Sequence, residues 1–136
     1  MRLRVVAVGR PRLAYARLGV EEYAGRIGRY APLELLFVRE GEALLPKAEG
    51  HLKVVLDERG KLFTTEGLYR LFQGWEGQRV AFLVGGAEGH PEEVRKRADL
   101  LLALSPLTLQ HELALLVLLE QLYRLFTLKA GHPYHR

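Results

Sequence analysis

The sequence of 136 residues has no cysteine, which excludes disulfides, thiolate metal sites and cysteine nucleophiles. It has no asparagine and one methionine, and arginine exceeds lysine 15 to 5. That depletion of thermolabile residues fits a heat-adapted source, and a biased genomic base composition would produce it equally well. Long apolar runs are also missing. The longest, Leu113 to Phe126, is interrupted by Glu120, Gln121 and Arg124, so no membrane span is expected. The opening run Leu3 to Val8 is too short, and too charged at its edges, for a signal peptide. With no linker, internal repeat or low-complexity tract in sight, the expectation is one cytoplasmic domain over residues 1–136.

What is present is an ordinary globular balance of 49% hydrophobic and 26% charged residues. The net charge of +4 is unevenly placed. Residues 1–30 hold seven arginines against Glu21 and Glu22, a net of +5, whereas residues 31–136 hold 13 basic and 14 acidic residues, a net of −1. A basic face of this kind suits a polyanion such as RNA, and suits a solvated arginine-rich surface equally well.

Patterning predicts alternating strands and helices. RLRVVAVG reads as a buried strand ended by Gly9. Leu13 to Tyr30 carries apolar residues at helical spacing, and Pro32 breaks it. LELLFV (33–38) is a second strand. Arg39 to Gly50 reads as loop with at most one helical turn. LKVVLD (52–57) is a third strand, closed by a turn around Gly60. Thr64 or Thr65 caps a helix whose inner face is Leu68, Leu71, Phe72 and Trp75. RVAFLVGG (79–86) is a fourth strand, apolar enough for burial on both faces. Pro91, Glu92 and Glu93 open a helix, LLLALS (100–105) is a fifth strand, and a final helix runs from about Gln110 to Lys129. The class is therefore α/β, a parallel-rich sheet with helices on both faces. Ligands in such sheets bind beyond the carboxyl ends of strands, which points to the loops after Leu56, Val84 and Leu104.

Three segments carry candidate chemistry. In GGAEGHPEEV, Gly85, Gly86 and Gly89 allow close backbone approach to a ligand. Glu88, Glu92 and Glu93 make the helix start hostile to phosphate, whereas a cationic sulfonium would be welcome there; a plain strand-to-helix turn explains the glycines as well. The final helix is apolar around more of its girth than one sheet can cover, which favours a homodimer. The tail HPYHR gathers two histidines, a tyrosine and an arginine. Without a supporting carboxylate cluster no metal is expected. Histidine suits a general base, and arginine and tyrosine suit phosphate and base contacts.

Together LVGGAEGH, LSPLTLQHELA, EQLYRLF and HPYHR, with the opening LRVVAVG, the LDERGK segment and its Thr-Thr-Glu helix start, resemble the ribosomal RNA large subunit methyltransferase H family of the SPOUT superfamily. The resemblance spans the whole chain and is most specific from Leu83 to Arg136. It implies a trefoil knot in the carboxyl half, a homodimer, and S-adenosylmethionine held by the knot loops. The implied reaction is methylation at N3 of a pseudouridine in large-subunit (23S) ribosomal RNA on the assembled 70S ribosome. Carried over by motif, Leu56, Gly85 and the run Leu104, Ser105, Pro106, Leu107, Thr108 and Leu109 bind cofactor. Tyr134, His135 and Arg136 match the tail that serves substrate and catalysis, with His135 the first candidate base and His132 the second. The segment Arg39 to Gly50 is shorter than the lysine-rich helical segment usual in such proteins. Competing readings are a SPOUT enzyme acting on another RNA such as transfer RNA, a non-catalytic RNA-binding module, and a flavodoxin-like nucleotide-binding regulator.

Overall fold

A computed structural model describes all 136 residues. Five strands, β1 (Arg2–Val8), β2 (Leu33–Val38), β3 (Leu52–Leu62), β4 (Arg79–Val84) and β5 (Leu100–Ala103), form one sheet in the order β2-β1-β4-β3-β5. Every pairing is parallel, so each strand needs cover on both faces. Five helices supply it: α1 (Ala14–Ile27), α2 (Leu44–Lys47), α3 (Thr65–Gln73), α4 (Glu92–Lys96) and α5 (His111–Ala130). The period-2 alternation of strand side chains sorts β1 between the faces. Leu3, Val5 and Ala7 join a core of 21 buried residues shared with α1, α3 and α5. Val6 joins a smaller core of eight, with Leu44 and Ala48 near α2 and Val94 of α4. The expected α/β architecture with helices on both faces is what the chain adopts.

The larger core is organised by α5, which runs in step with α1. Leu116 of α5 lies where a Cβ on Gly19 would come within 2.6 Å of it. Further along, Tyr23 and Tyr30 meet Tyr123, and Tyr30 stacks on Phe126 at 5.9 Å. Phe72 of α3 meets Phe126 edge-on at 5.0 Å. Leu118, Leu119, Leu122 and Leu125 are fully buried, and truncating one to alanine would cost about 2–5 kcal/mol. Leu113, Leu116 and Val117 on the same helix are only half-buried. Leu13, Tyr15 and Leu18 on the neighbouring start of α1 are 42%, 50% and 61% exposed.

Two expectations are corrected. First, Gly60 does not close a turn that ends β3. The strand continues to Leu62, and residues 57–60 form an excursion: Leu56 and Lys61 both pair with Leu102. Gly60 lies flat on β5, where a Cβ would sit 2.6 Å from the carbonyl of Leu101, so its role is close approach rather than reversal. Second, Arg39 to Gly50 holds a tight turn at Gly41–Ala43 and then α2. It is a plug as well as a connector, since Leu44 and Ala48 are fully buried.

Candidate active site

The carboxyl ends of β3, β4 and β5 open into a cleft of about 570 Å³, within the size range of small-molecule sites. Three loops wall it. The β3 excursion supplies Leu56, Asp57, Glu58 and Arg59; the glycine loop supplies Gly85 to His90; the segment before α5 supplies Leu104, Ser105, Leu107, Thr108, Leu109 and Gln110. His111 and Ala114 of α5 complete the floor. Of the cofactor residues expected from sequence, Leu56, Gly85, Leu104, Ser105, Leu107, Thr108 and Leu109 are thus drawn together, and Pro106 alone does not line the cleft.

Each loop is held by local chemistry. In the first, the Asp57 side chain is only 7% exposed. Its Oδ1 accepts the backbone N–H of Arg59 at 2.8 Å, and its Oδ2 accepts Arg95 Nε at 2.6 Å. Burial is the strongest influence on this carboxyl and pushes its pKa up, but those two hydrogen bonds and the charge of Arg95 outweigh it and hold Asp57 below the usual range. In the second, Gly86 and Gly89 bridge each other and Gly89 takes φ +77°, a backbone state that favours glycine. A Cβ on Gly85 would stand 3.1 Å from the Gly89 backbone. In the third, Ser105 Oγ accepts the N–H of Leu107 at 2.9 Å, and Gln110 Oε1 caps α5 by accepting from Glu112 and Leu113. Thr108 donates to Glu58 at 2.9 Å, which fastens the third loop to the first.

The tail behaves differently. Gly131, at φ +71°, turns the chain back, and His132 N–H donates to Thr127 at 2.9 Å, a closure typical of helix ends. Tyr134 then packs edge-on against Tyr123 at 4.7 Å and donates to Glu120 Oε2 at 2.7 Å. Its phenol is raised well above its usual pKa, first by burial and then by hydrogen bonds to Tyr23 and Glu120, so it stays neutral. His135 meets Arg124 at 3.0 Å through Nδ1 and Glu66 at 3.2 Å through Nε2. Arg136 and His132 are exposed. The tail is therefore an anchored element, not the loose end its position beyond α5 suggests. Its anchor points, Glu120 and Arg124, lie roughly 9 and 15 Å along the helix from Ala114 at the cleft. No tail residue lines the cleft of its own chain.

Sequence reasoning missed several cleft residues. Asp57, Glu58 and His90 all line the site; the acidic pair directly after a buried strand was the available signal. Glu112 was also missed: its Oε1 accepts the backbone N–H groups of Arg12 and Leu13 at 2.8 and 2.9 Å. It supplies the cap that α1 lacks and ties the β1–α1 turn to the cleft floor.

The family described as "Predicted SPOUT methyltransferase" matches residues 1–135. The ribosomal RNA large subunit methyltransferase H of Thermus thermophilus is 82% identical over 136 residues, covering 100% of this chain and 99% of the relative. The chain belongs to this family. The protein of the same name from Deinococcus radiodurans is 44% identical over 146 residues, again covering 100% of this chain and 99% of the relative. Among solved structures, a methylase family protein from Haemophilus influenzae shares the fold at TM-score 0.62 and 11% identity, over 98% of this chain and 70% of that one. A Legionella pneumophila methyltransferase in complex with SAM shares it at TM-score 0.59 and 14% identity, over 91% of this chain and 66% of that one. The enzyme class is thus methyltransferase.

Proposed function

We propose that this protein binds S-adenosylmethionine in the three-loop cleft and methylates N3 of a pseudouridine in large-subunit ribosomal RNA. It does so in the cytoplasm, on the assembled 70S ribosome. The observation that carries the reading is the chemistry of the cleft inside a chain of this family. Leucines 56, 102, 104, 107 and 109 give apolar walls, while Asp57, Glu58 and Glu88 face Arg59 as the one basic side chain among the lining residues apart from its two histidines. Such a lining accepts a flat adenine and a sulfonium cation, and its three carboxylates against one guanidinium disfavour a triphosphate. When bound, S-adenosylmethionine supplies an electrophilic methyl group on sulfur.

The protein's own contribution is alignment of the acceptor and removal of its proton. Tyr134 and His135 cannot do this in the cleft of their own chain without leaving their anchors, and Arg136 follows directly on them. The reading therefore includes a homodimer in which the tail of one protomer completes the cleft of its partner. Apolar residues on α1 and α5 support that dimer: Leu13 and Leu18 are exposed, Leu113 and Leu116 are half-buried, and Leu113 directly precedes Ala114 of the cleft floor. The trefoil knot of the carboxyl half belongs to the same reading. A second candidate base has its own support. His111 lines the cleft directly, at the first position of α5. The decisive experiment is mass spectrometry of ribosomal RNA from a strain lacking the gene. Loss of a single methyl on one pseudouridine of the large subunit is expected. An unchanged large subunit with a methyl missing from a transfer RNA would overturn the substrate assignment.

A further inference from the structure

His90 is the last residue of the glycine loop and stands between that loop and the first one. Its Nε2–H donates to the carbonyl of Leu56 at 2.9 Å. Leu56 is where the β3–β5 register breaks, and the side chain of the second loop engages the backbone of the first at that break. On the other side the ring packs against Gly85, where a Cβ would stand 3.4 Å from His90 Cε1. The remaining ring nitrogen, Nδ1, is buried with no hydrogen-bond partner. The ring thus has one donor in use and one acceptor shielded from water, which is the neutral tautomer. Protonation would bury a positive charge, which the Leu56 and Leu83 carbonyls favour but burial opposes more strongly.

Resting on the cofactor reading above, we propose that His90 is a positioning residue for S-adenosylmethionine: its neutral imidazole braces the glycine loop against Leu56, and because the ring is buried, acid favours loop arrangements that expose it to water and so weakens cofactor capture. The charged groups around it come from every neighbouring segment. Asp57 of the first loop favours the imidazolium and Arg95 of α4 opposes it. Glu58, Arg59, Glu88 and His111 line the same cleft. Burial is the largest influence and lowers the imidazole pKa below its ordinary 6.5. The folded chain thus prefers the neutral ring, and the penalty on the braced form grows as pH falls from 6.5 through the lowered value.

The test is calorimetric titration of the full-length protein with S-adenosylmethionine between about pH 7.5 and about pH 5.5, a range that brackets histidine titration. Parent, His90→Gln and His90→Leu are compared. Glutamine keeps an N–H donor and does not titrate, so its affinity at the upper pH should stay within about threefold of the parent and its acid loss should be smaller. Leucine has no donor and should bind about tenfold more weakly than the parent at the upper pH, the loss of roughly one buried hydrogen bond, with a gap that narrows as the parent loses affinity in acid. Titration of the cofactor's own groups is common to all three and cancels. Equal affinity of the leucine variant and the parent at the upper pH, or the same acid loss in parent and glutamine variant, would overturn the brace while leaving the cofactor site intact. A folded parent that binds no S-adenosylmethionine at any pH would instead sink the cofactor reading on which the brace rests.

Discussion

The cleft and the tail are built from opposite materials. The cleft is shaped mainly by backbone: a strand excursion, a glycine bridge and a capped helix start, with side chains such as Thr108, Glu58 and Asp57 fastening the loops together. All of its lining residues come from one chain. The tail is made of side chains that could do chemistry, yet Tyr134 and His135 are committed to Glu120, Arg124 and Glu66. On the proposed function, the difference makes cofactor binding and methyl transfer separable. In that reading the cleft needs only its own fold, whereas the tail must act on a partner protomer or be released by the RNA.

The largest effect should come from dividing the two regions. A chain ending at Gly131 should fold by circular dichroism and bind S-adenosylmethionine with parental affinity, while methyl transfer to ribosomes falls about 10²–10⁴-fold, the range spanned by loss of a general base. Mixing it with a cofactor-loop variant should restore part of the activity. Parental rates from the truncated chain would break the comparison, and a larger loss from His111→Ala than from His135→Ala would move the base into the cleft. Gly85→Val should do the reverse. Its branched side chain must displace the Gly89 backbone 3.1 Å away, and overpacking of that kind costs about 1–3 kcal/mol. Cofactor affinity measured by calorimetry should drop roughly 5–100-fold.

A joint site also requires two chains to meet. Leu113→Glu, on the half-buried face of α5, should give monomers in sedimentation at micromolar concentration, with transfer lost and cofactor binding weakened much less. A parent that is itself monomeric would remove the shared site. The smallest effect concerns the anchor. Tyr134→Phe removes the 2.7 Å hydrogen bond to Glu120 and should lower stability by about 1 kcal/mol in denaturant titration. Glu120 is pushed up by burial most of all, but the hydrogen bonds from Tyr134, Arg124 and Gln121 prevail and hold it below 4.5. A carboxyl lowered in the folded state stabilises above that value and loses its contribution as pH falls through the folded pKa. Stability should therefore decline with acid below about pH 4.5, and less steeply in Tyr134→Phe.

Much of this molecule is legible in one dimension because its determinants are local. Strand runs such as 33–38 and 79–84, the Thr64 cap and the Gln110 start of α5 follow from period, turn residues and side-chain oxygens. The strand-end rule pointed to the loops after Leu56, Val84 and Leu104, and resemblance singled out Leu56, Gly85 and 104–109 within them. Residues far apart in sequence needed the fold. The excursion at 57–60 exists because β5 lies flush against Gly60. Glu112 caps a helix nearly a hundred positions away. Only the fold brings His90 within 2.9 Å of the Leu56 carbonyl, 34 residues earlier. The sequence determined which segments are strands, helices and loops, because hydrogen-bond periodicity and capping act over a few residues. Tertiary structure alone decided which loops share a cleft and that the tail is pinned away from it, because parallel pairing brings together strand ends that are never neighbours along the chain.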